Sequence, residues 1–262
     1  MRKTEYSIPC AVSQPVQIAL VTDLHEFAPE PVLEILRQAR PDVIAVAGDT
    51  LERHNRGENL DREDSSLCSR MICRGIHSME ALRGCHASGK TNREYGWQFF
   101  QEGGRIAPMV VCRGNHELYL TDADRAVLEK AGVQLLENSA VTIAGISFGG
   151  IPSRQISKTF DRAFLQRFAA QPGVRVLLCH HPEYYPELAS YGLDLVLSGH
   201  CHGGQIRVLG RGVFAPGQGL FPKYHHGVYD GHLVVSAGCA NTAPIPRWGN
   251  EPEVVLLRLL PR

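Results

Sequence analysis

Short, nearly continuous apolar runs alternate along the chain with longer stretches whose apolar positions recur every three to four residues. Gln17–Thr22 (QIALVT), Asp42–Ala47 (DVIAVA), Met109–Cys112 (MVVC), Val174–Cys179 (VRVLLC) and Leu193–Leu197 (LDLVL) show the pattern of strands buried on both faces. Pro29–Arg40 has Val32, Leu33, Leu36 and Ala39 on one helical face, with Pro31 in its first turn. Thr121–Ala131 opens on Thr-x-x-Asp, a capping-box signal, and continues as an amphipathic helix. A further helix is expected near Lys158–Ala170. Val133–Gly150 reads as strands joined by tight turns, and Ile206–Leu209, Leu233–Ser236 and Val254–Leu259 as later strands. The alternation predicts α/β layering with helices covering the sheet faces. The later run of strands predicts a second sheet or antiparallel additions. From about residue 54 to 104 the chain is polar, Arg-rich and without clear period, apart from a helix-compatible stretch at Met79–Leu82. That region reads as an insertion or mobile cover.

Composition narrows the partners. The 27 basic and 27 acidic side chains cancel, whereas nucleic-acid binders normally carry a basic excess. No apolar run reaches the length of a membrane span. The first twenty residues contain Glu5 and no uninterrupted apolar core, so they do not read as a signal peptide, and a cytoplasmic protein is the expectation. Eight cysteines without a CxxC pair point to free thiols and away from a disulfide framework.

The chemistry lies where the strands stop. QIALVT runs into Asp23-Leu24-His25 and DVIAVA into Gly48-Asp49. MVVC leads to Arg113-Gly114-Asn115-His116-Glu117, VRVLLC to His180-His181, and LDLVL to Ser198-Gly199-His200-Cys201-His202. Five apolar strands each deliver a metal-capable side chain at the carboxyl end, the edge where open α/β sheets bind ligands. Carboxylate and amide oxygens mixed with imidazoles suit manganese, iron, zinc and similar divalent ions, and argue against a thiolate-bound structural zinc. One tetrahedral ion needs about four ligands. The seven candidates Asp23, His25, Asp49, Asn115, His180, His200 and His202 fit a pair of ions, a standard device for phosphoryl hydrolysis. In extended backbone His200 and His202 would face one site with Cys201 turned away, and Asp23 and His25 would act together around Leu24 in the same way.

In order and spacing, D-x-H (23–25), G-D (48–49), G-N-H-E (114–117), His180 and G-H-x-H (199–202) resemble the calcineurin-like metallophosphoesterase superfamily. GHCHGGQI (199–206) and the chain beyond Gly219 resemble its small bacterial phosphodiesterase branch with the GHxHGGQ motif. The resemblance implies a four-layer αββα sandwich of two mixed sheets, forming a single domain over residues 1–262 with an insertion or lid at about 54–104. It implies that two divalent ions are bound. Asp23, His25 and His202 would hold the first, Asn115, His180 and His200 the second, and Asp49 would bridge them. A small phosphoester, most readily a diester, would be attacked in line by a metal-bridging hydroxide, with His116 as general acid. Ser236-Ala237-Gly238 departs from the arginine-glycine pair common in that branch.

Each residue alone has a blander reading as turn or capping chemistry, but all eight in order do not. For His181 a structural or supporting role is favoured, and Glu117 is expected to pack or hydrogen-bond near the site. Arg113 could touch phosphate or make a structural ion pair. Cys179 and Cys201 read as small buried residues, and Tyr224, His225 and His226 as a substrate-facing rim or, in slight preference, an ordinary loop. Cys68, Cys73, His77, Cys85 and His86 fit no standard zinc spacing. Two competing classes are a non-catalytic scaffold of the same fold, which would be expected to lose a ligand or His116, and a nuclease, which the zero net charge disfavours.

Overall fold

The computed structural model describes residues 1–53, 92–242 and 246–262. The helix-compatible stretch at Met79–Leu82, the 68–86 cysteine and histidine group, and most of the expected insertion lie outside the described residues.

The first sheet has the order β1-β16-β2-β3-β4-β5. Its strands are β1 (Arg2–Cys10), β2 (Val16–Val21), β3 (Val43–Ala47), β4 (Met109–Cys112), β5 (Gln134–Leu135) and β16 (Glu253–Pro261). β2 to β5 run parallel, and β16 is antiparallel to β2 and parallel to β1. The second sheet has the order β14-β15-β9-β8-β7-β6. It contains β6 (Ser139–Ile143), β7 (Ile146–Ile151), β8 (Val174–Cys179), β9 (Leu195–Ser198), β14 (Gly227–Tyr229) and β15 (Leu233–Val235), with β7, β8, β9 and β15 parallel. Between them the chain forms two small hairpins, β10 (Arg207–Val208) with β11 (Arg211–Gly212), and β12 (Phe214–Ala215) with β13 (Gly219–Leu220).

Successive side chains of a strand leave on opposite faces, so each apolar run feeds two cores. Ile18, Leu20, Val43 and Ala45 of the first sheet pack against Phe148, Val176, Leu178 and Leu197 of the second. Their neighbours Ala19, Val21, Ile44 and Val46 pack outward under helices α1 (Glu30–Ala39), α2 (Arg93–Ile106) and α3 (Asp122–Lys130). Leu177, Val196 and Val235 pack outward under α4 (Arg162–Ala169) and the short α5 (Tyr185–Leu188). The result is the four-layer αββα sandwich. None of the helices among the described residues is long and apolar enough to cross a membrane.

Local chemistry sets the helix ends. Thr121 and Asp124 cap each other reciprocally at the start of α3. The helix expected from Lys158 begins only at Arg162, because the Asp161 side chain accepts from the Phe164 N–H and fixes the start there. Two elements correct the sequence reading. Residues 93–106, assigned to the insertion, form a regular helix capped by Asn92, with Phe99 and Phe100 fully buried. Its apolar stripe is broken by glycines. A Cβ on Gly96 would stand 2.4 Å from Leu51 Cδ2, so a packed side chain is replaced by close approach of the helix. β1 is a half-polar edge strand whose alternation (RKTEYSIPC) carries too few apolar residues to stand out.

Candidate metal centre

β2, β3 and β4 of the first sheet and β8 and β9 of the second end at one edge of the sandwich, and their loops interlock there. The loop after β2 runs beside the loop after β3, with Asp23 N–H donating to Gly48 O and His25 N–H to Asp49 O. Gly199 N–H donates to His180 O, and Ala240 N–H to Asp23 O. Glu117 binds these loops together. Its carboxylate accepts the backbone N–H groups of Asp49, Thr50, Leu51 and Gly114 at 2.8–3.1 Å. Burial and the Asp49 charge push its pKa up, against the pull of those donors.

Six of the seven candidate ligands are brought together at this edge, and the seventh, Asn115, follows β4 there with its Oδ1 buried. Asp23, His25 and His202 form one group of facing donor atoms, and Asp49, His180 and His200 a second. Asp49 also groups with His25 and His116, so it stands between the two. Asp23 Oδ1 lies 3.9 Å from His25 Nε2, 3.7 Å from His202 Nε2 and 4.0 Å from His180 Nε2. Asp49 Oδ2 lies 3.0 Å from His180 Nε2 and 4.0 Å from His25 Nε2. Most of these separations are too long for hydrogen bonds, yet two ligands each about 2.1 Å from a shared ion can span them. His25 Nε2 and Asn115 Oδ1 are buried without a hydrogen-bond partner, and His180 Nε2 has only the Asp49 carboxylate beside it. Such atoms are costly in a protein interior unless something else meets them. This donor set fits divalent cations.

The backbone is held in an unusual state to achieve this. Asp23 (φ 54°), His25 (φ 51°), Asp49 (φ 57°), His200 (φ 68°) and His202 (φ 43°) are all left-handed. The extended geometry expected around Leu24 and Cys201 is therefore replaced by tight turns, because each loop must reverse within two residues of its strand. Cys201 does turn away, fully buried with Gln218 Nε2 3.2 Å from its sulfur. Gly114 is required by space: a Cβ there would lie 2.0 Å from Asp49 Oδ1.

Outer contacts orient the rings. His180 Nδ1 lies 2.7 Å from Ala47 O and His25 Nδ1 2.5 Å from Glu52 Oε1, which directs both Nε2 atoms into the site. Glu52 Oε2 also meets His116 Nδ1 at 2.9 Å. Burial lowers the His116 pKa, but the Glu52 hydrogen bond and the Asp49 and Glu52 charges outweigh it and push it up to about 9. Burial would raise the Asp49 carboxyl, but His180, His116 and His25 hold it well below its ordinary value. His202 is pulled down to about 4, chiefly by burial, with Arg247 contributing. Arg247 Nη2 sits 3.1 Å from His202 Nδ1 and donates to Ala240 O, while Nη1 donates to Ala237 O.

His181 lies outside the two groups around Asp23 and Asp49. It is bonded to Ser153 Oγ and Glu183, with its ring 4.1 Å from that of His200, and burial lowers its pKa. Arg113 donates to Glu137 and to backbone carbonyls of residues 117 and 118, a structural use. Glu52 and Arg247 were missed in the sequence. Neither adjoins a strand end, and only the path of its loop brings each to a ligand.

Residues 16–204 match the family model described as calcineurin-like phosphoesterase. The chain belongs to that family. Its αββα sandwich is the fold of that family. Among its relatives is an uncharacterized metallophosphoesterase of Helicobacter pylori strain J99, 25% identical over 94% of this chain and 60% of that protein. A second, from Helicobacter pylori strain 26695, is 30% identical over 57% of this chain and 42% of its own length. The phosphodiesterase YaeI of Escherichia coli K12 is 29% identical over 59% of each protein. The chain thus matches about half the length of these curated relatives.

Proposed function

We propose that the chain is a dinuclear metal-dependent phosphodiesterase. The observation that carries this reading is the pair of donor groups meeting at Asp49, into which the buried, partnerless His25 Nε2 faces. Asp23, His25 and His202 would hold one divalent ion, Asn115, His180 and His200 the other, and Asp49 both. Manganese, iron and zinc all suit these donors. Bound there, the ions would supply Lewis acidity toward the phosphoryl oxygens and a nucleophile at neutral pH.

The chain's own residues supply placement and a proton. Glu52 turns His116 so that Nε2 points inward, 3.9 Å from Asp49 Oδ2, and it favours the protonated ring. That ring is suited to donating Nε2–H to the departing ester oxygen. The side chain is 28% exposed, which leaves it reachable by substrate. Glu117 fixes the loops and does not face the reaction. The phosphodiesterase YaeI supports a diester substrate by relationship.

The test is a metal-reconstituted screen over aryl phosphomonoesters, aryl phosphodiesters, nucleotides and phospholipids. Diester hydrolysis should require added metal and fall by a factor of about 100 or more in His116→Ala. Equal rates for wild type and His116→Ala would remove His116 from the reaction. Bound metal without hydrolysis of any ester would favour a scaffold.

A further inference from the structure

Nine large hydrophobic side chains are exposed among the described residues, and six of them sit on one edge: Val208, Leu209, Phe214, Leu220, Phe221 and Trp248. Five belong to the two small hairpins or their ends. Trp248 joins them through a bridge to Ile206, two positions from Val208. Phe214 and Leu220 face each other directly across β12 and β13.

Local stability does not explain these residues. Leu209 and Gly210 form the tip of the first hairpin with φ of 50° and 80°. A turn with two positive φ values favours Asn-Gly, and a leucine there meets both the left-handed penalty and full exposure to water. Phe221 repeats the anomaly, with φ 53° and 76% exposure. An apolar residue held at a strained, exposed position indicates a use outside the fold.

The charge of the same stretch is one-sided. From Gly203 to Tyr229 there is no aspartate or glutamate, in a chain whose charges balance as a whole. Arg211 and Lys223 are exposed, and Arg211 stands opposite Val208 in the first hairpin. Arg207 is half-buried and donates to Gly203 O. Two carboxylates meet the stretch from behind, Glu183 against Gly217 and the buried Glu253 3.4 Å from His226 Nε2, and in sequence Asp230 follows it directly.

We propose that this edge docks on an anionic phospholipid surface. Leu209, Phe221 and Trp248 enter the headgroup region, and Arg211 and Lys223 meet lipid phosphates. A hairpin tip fully exposed at Leu209 and flanked by exposed Phe221 and Trp248 suits insertion among headgroups better than a protein partner, whose stable interface buries roughly 800 Å² on each side in close packing. The edge also borders the metal centre. The turn that carries His202 leads into β10, and Trp248 follows Arg247, which touches His202. Docking would bring the mouth of the site to the lipid interface. The proposal does not depend on which ester is hydrolysed, or on hydrolysis at all.

The experiment is flotation of the full chain with vesicles of phosphatidylcholine alone and with an equal part of phosphatidylglycerol. Wild type should float with the anionic vesicles, less so at high salt, and poorly with the neutral ones. Leu209→Asn keeps a residue suited to the left-handed turn, so folding is preserved. Combined with Phe221→Asn it should lower partition by more than about tenfold. Arg211→Gln with Lys223→Gln should remove most of the salt dependence. The idea is overturned if wild type stays off anionic vesicles, or if the apolar pair of substitutions leaves partition unchanged. It is also overturned if wild type is a dimer that those substitutions dissociate, since the edge would then be an interface between copies.

Discussion

Asp23, His25, Asp49, His200 and His202 share a left-handed backbone that costs roughly 1–2 kcal/mol for an ordinary residue and somewhat less for Asp or His. Surrounding loops must hold such residues in place, and Glu117 does so through four backbone N–H groups. Glu117→Gln would put an amide N–H₂ against those donors. It should destabilise the protein by about 2 kcal/mol or more, seen as a lower melting temperature with weaker metal retention. The same logic separates neighbours in the His200-Cys201-His202 turn. Cys201→Ser should keep metal and activity, whereas His200→Ala or His202→Ala should lose both. Gly114→Ala should behave like loss of Asp49, because its Cβ occupies the place of Oδ1. Most of these residues were legible as polar groups following apolar runs. Glu52 was not, because in sequence it is only an acid three residues beyond Asp49, and its value lies in reaching two histidines at once.

At the scale of elements, one ion-pair cluster fastens α2 and α3 to the loop that follows β3. Arg53 donates to both Asp124 oxygens at 2.8–2.9 Å and to Glu26 at 2.6 Å, and Trp97 Nε1 donates to Asp124 at 2.8 Å. Burial alone would raise the Asp124 pKa, but Arg53 and Thr121 bring it down to about 2. Its ordinary value is about 3.9. The folded state therefore binds this proton less readily than the unfolded chain. The cluster's contribution is complete above about pH 4 and is lost as pH falls through about 2. Denaturant midpoints measured between neutral pH and pH 2 should fall more gently for Asp124→Asn than for wild type. Unchanged acid sensitivity in that variant would move the effect to another carboxylate such as Glu253, also held near 2. This cluster was invisible in the sequence, since it joins residues 27 and 71 positions apart, and α2 was hidden by glycines that exchange hydrophobic periodicity for close packing.

At the scale of the molecule, the two sheets are legible because their strands are buried on both faces and read as unbroken apolar runs. Their meeting edge follows from the parallel strands ending together. The strand β1 and the insertion of β16 between β1 and β2 were not legible, because edge polarity and long-range order leave no local signal. The candidate metal centre draws on loops from both sheets, so ions bound there should also stabilise the sandwich. Chelator-treated protein should melt at a lower temperature and recover on adding manganese, in proportion to the ions regained. The most direct measurement is the rate of aryl phosphodiester hydrolysis by manganese-loaded wild type beside Asp49→Asn, with bound metal counted in both. The account predicts about two ions per chain and metal-dependent turnover in wild type, with both sharply reduced in Asp49→Asn. Equal metal content and equal rates in the two proteins would contradict it.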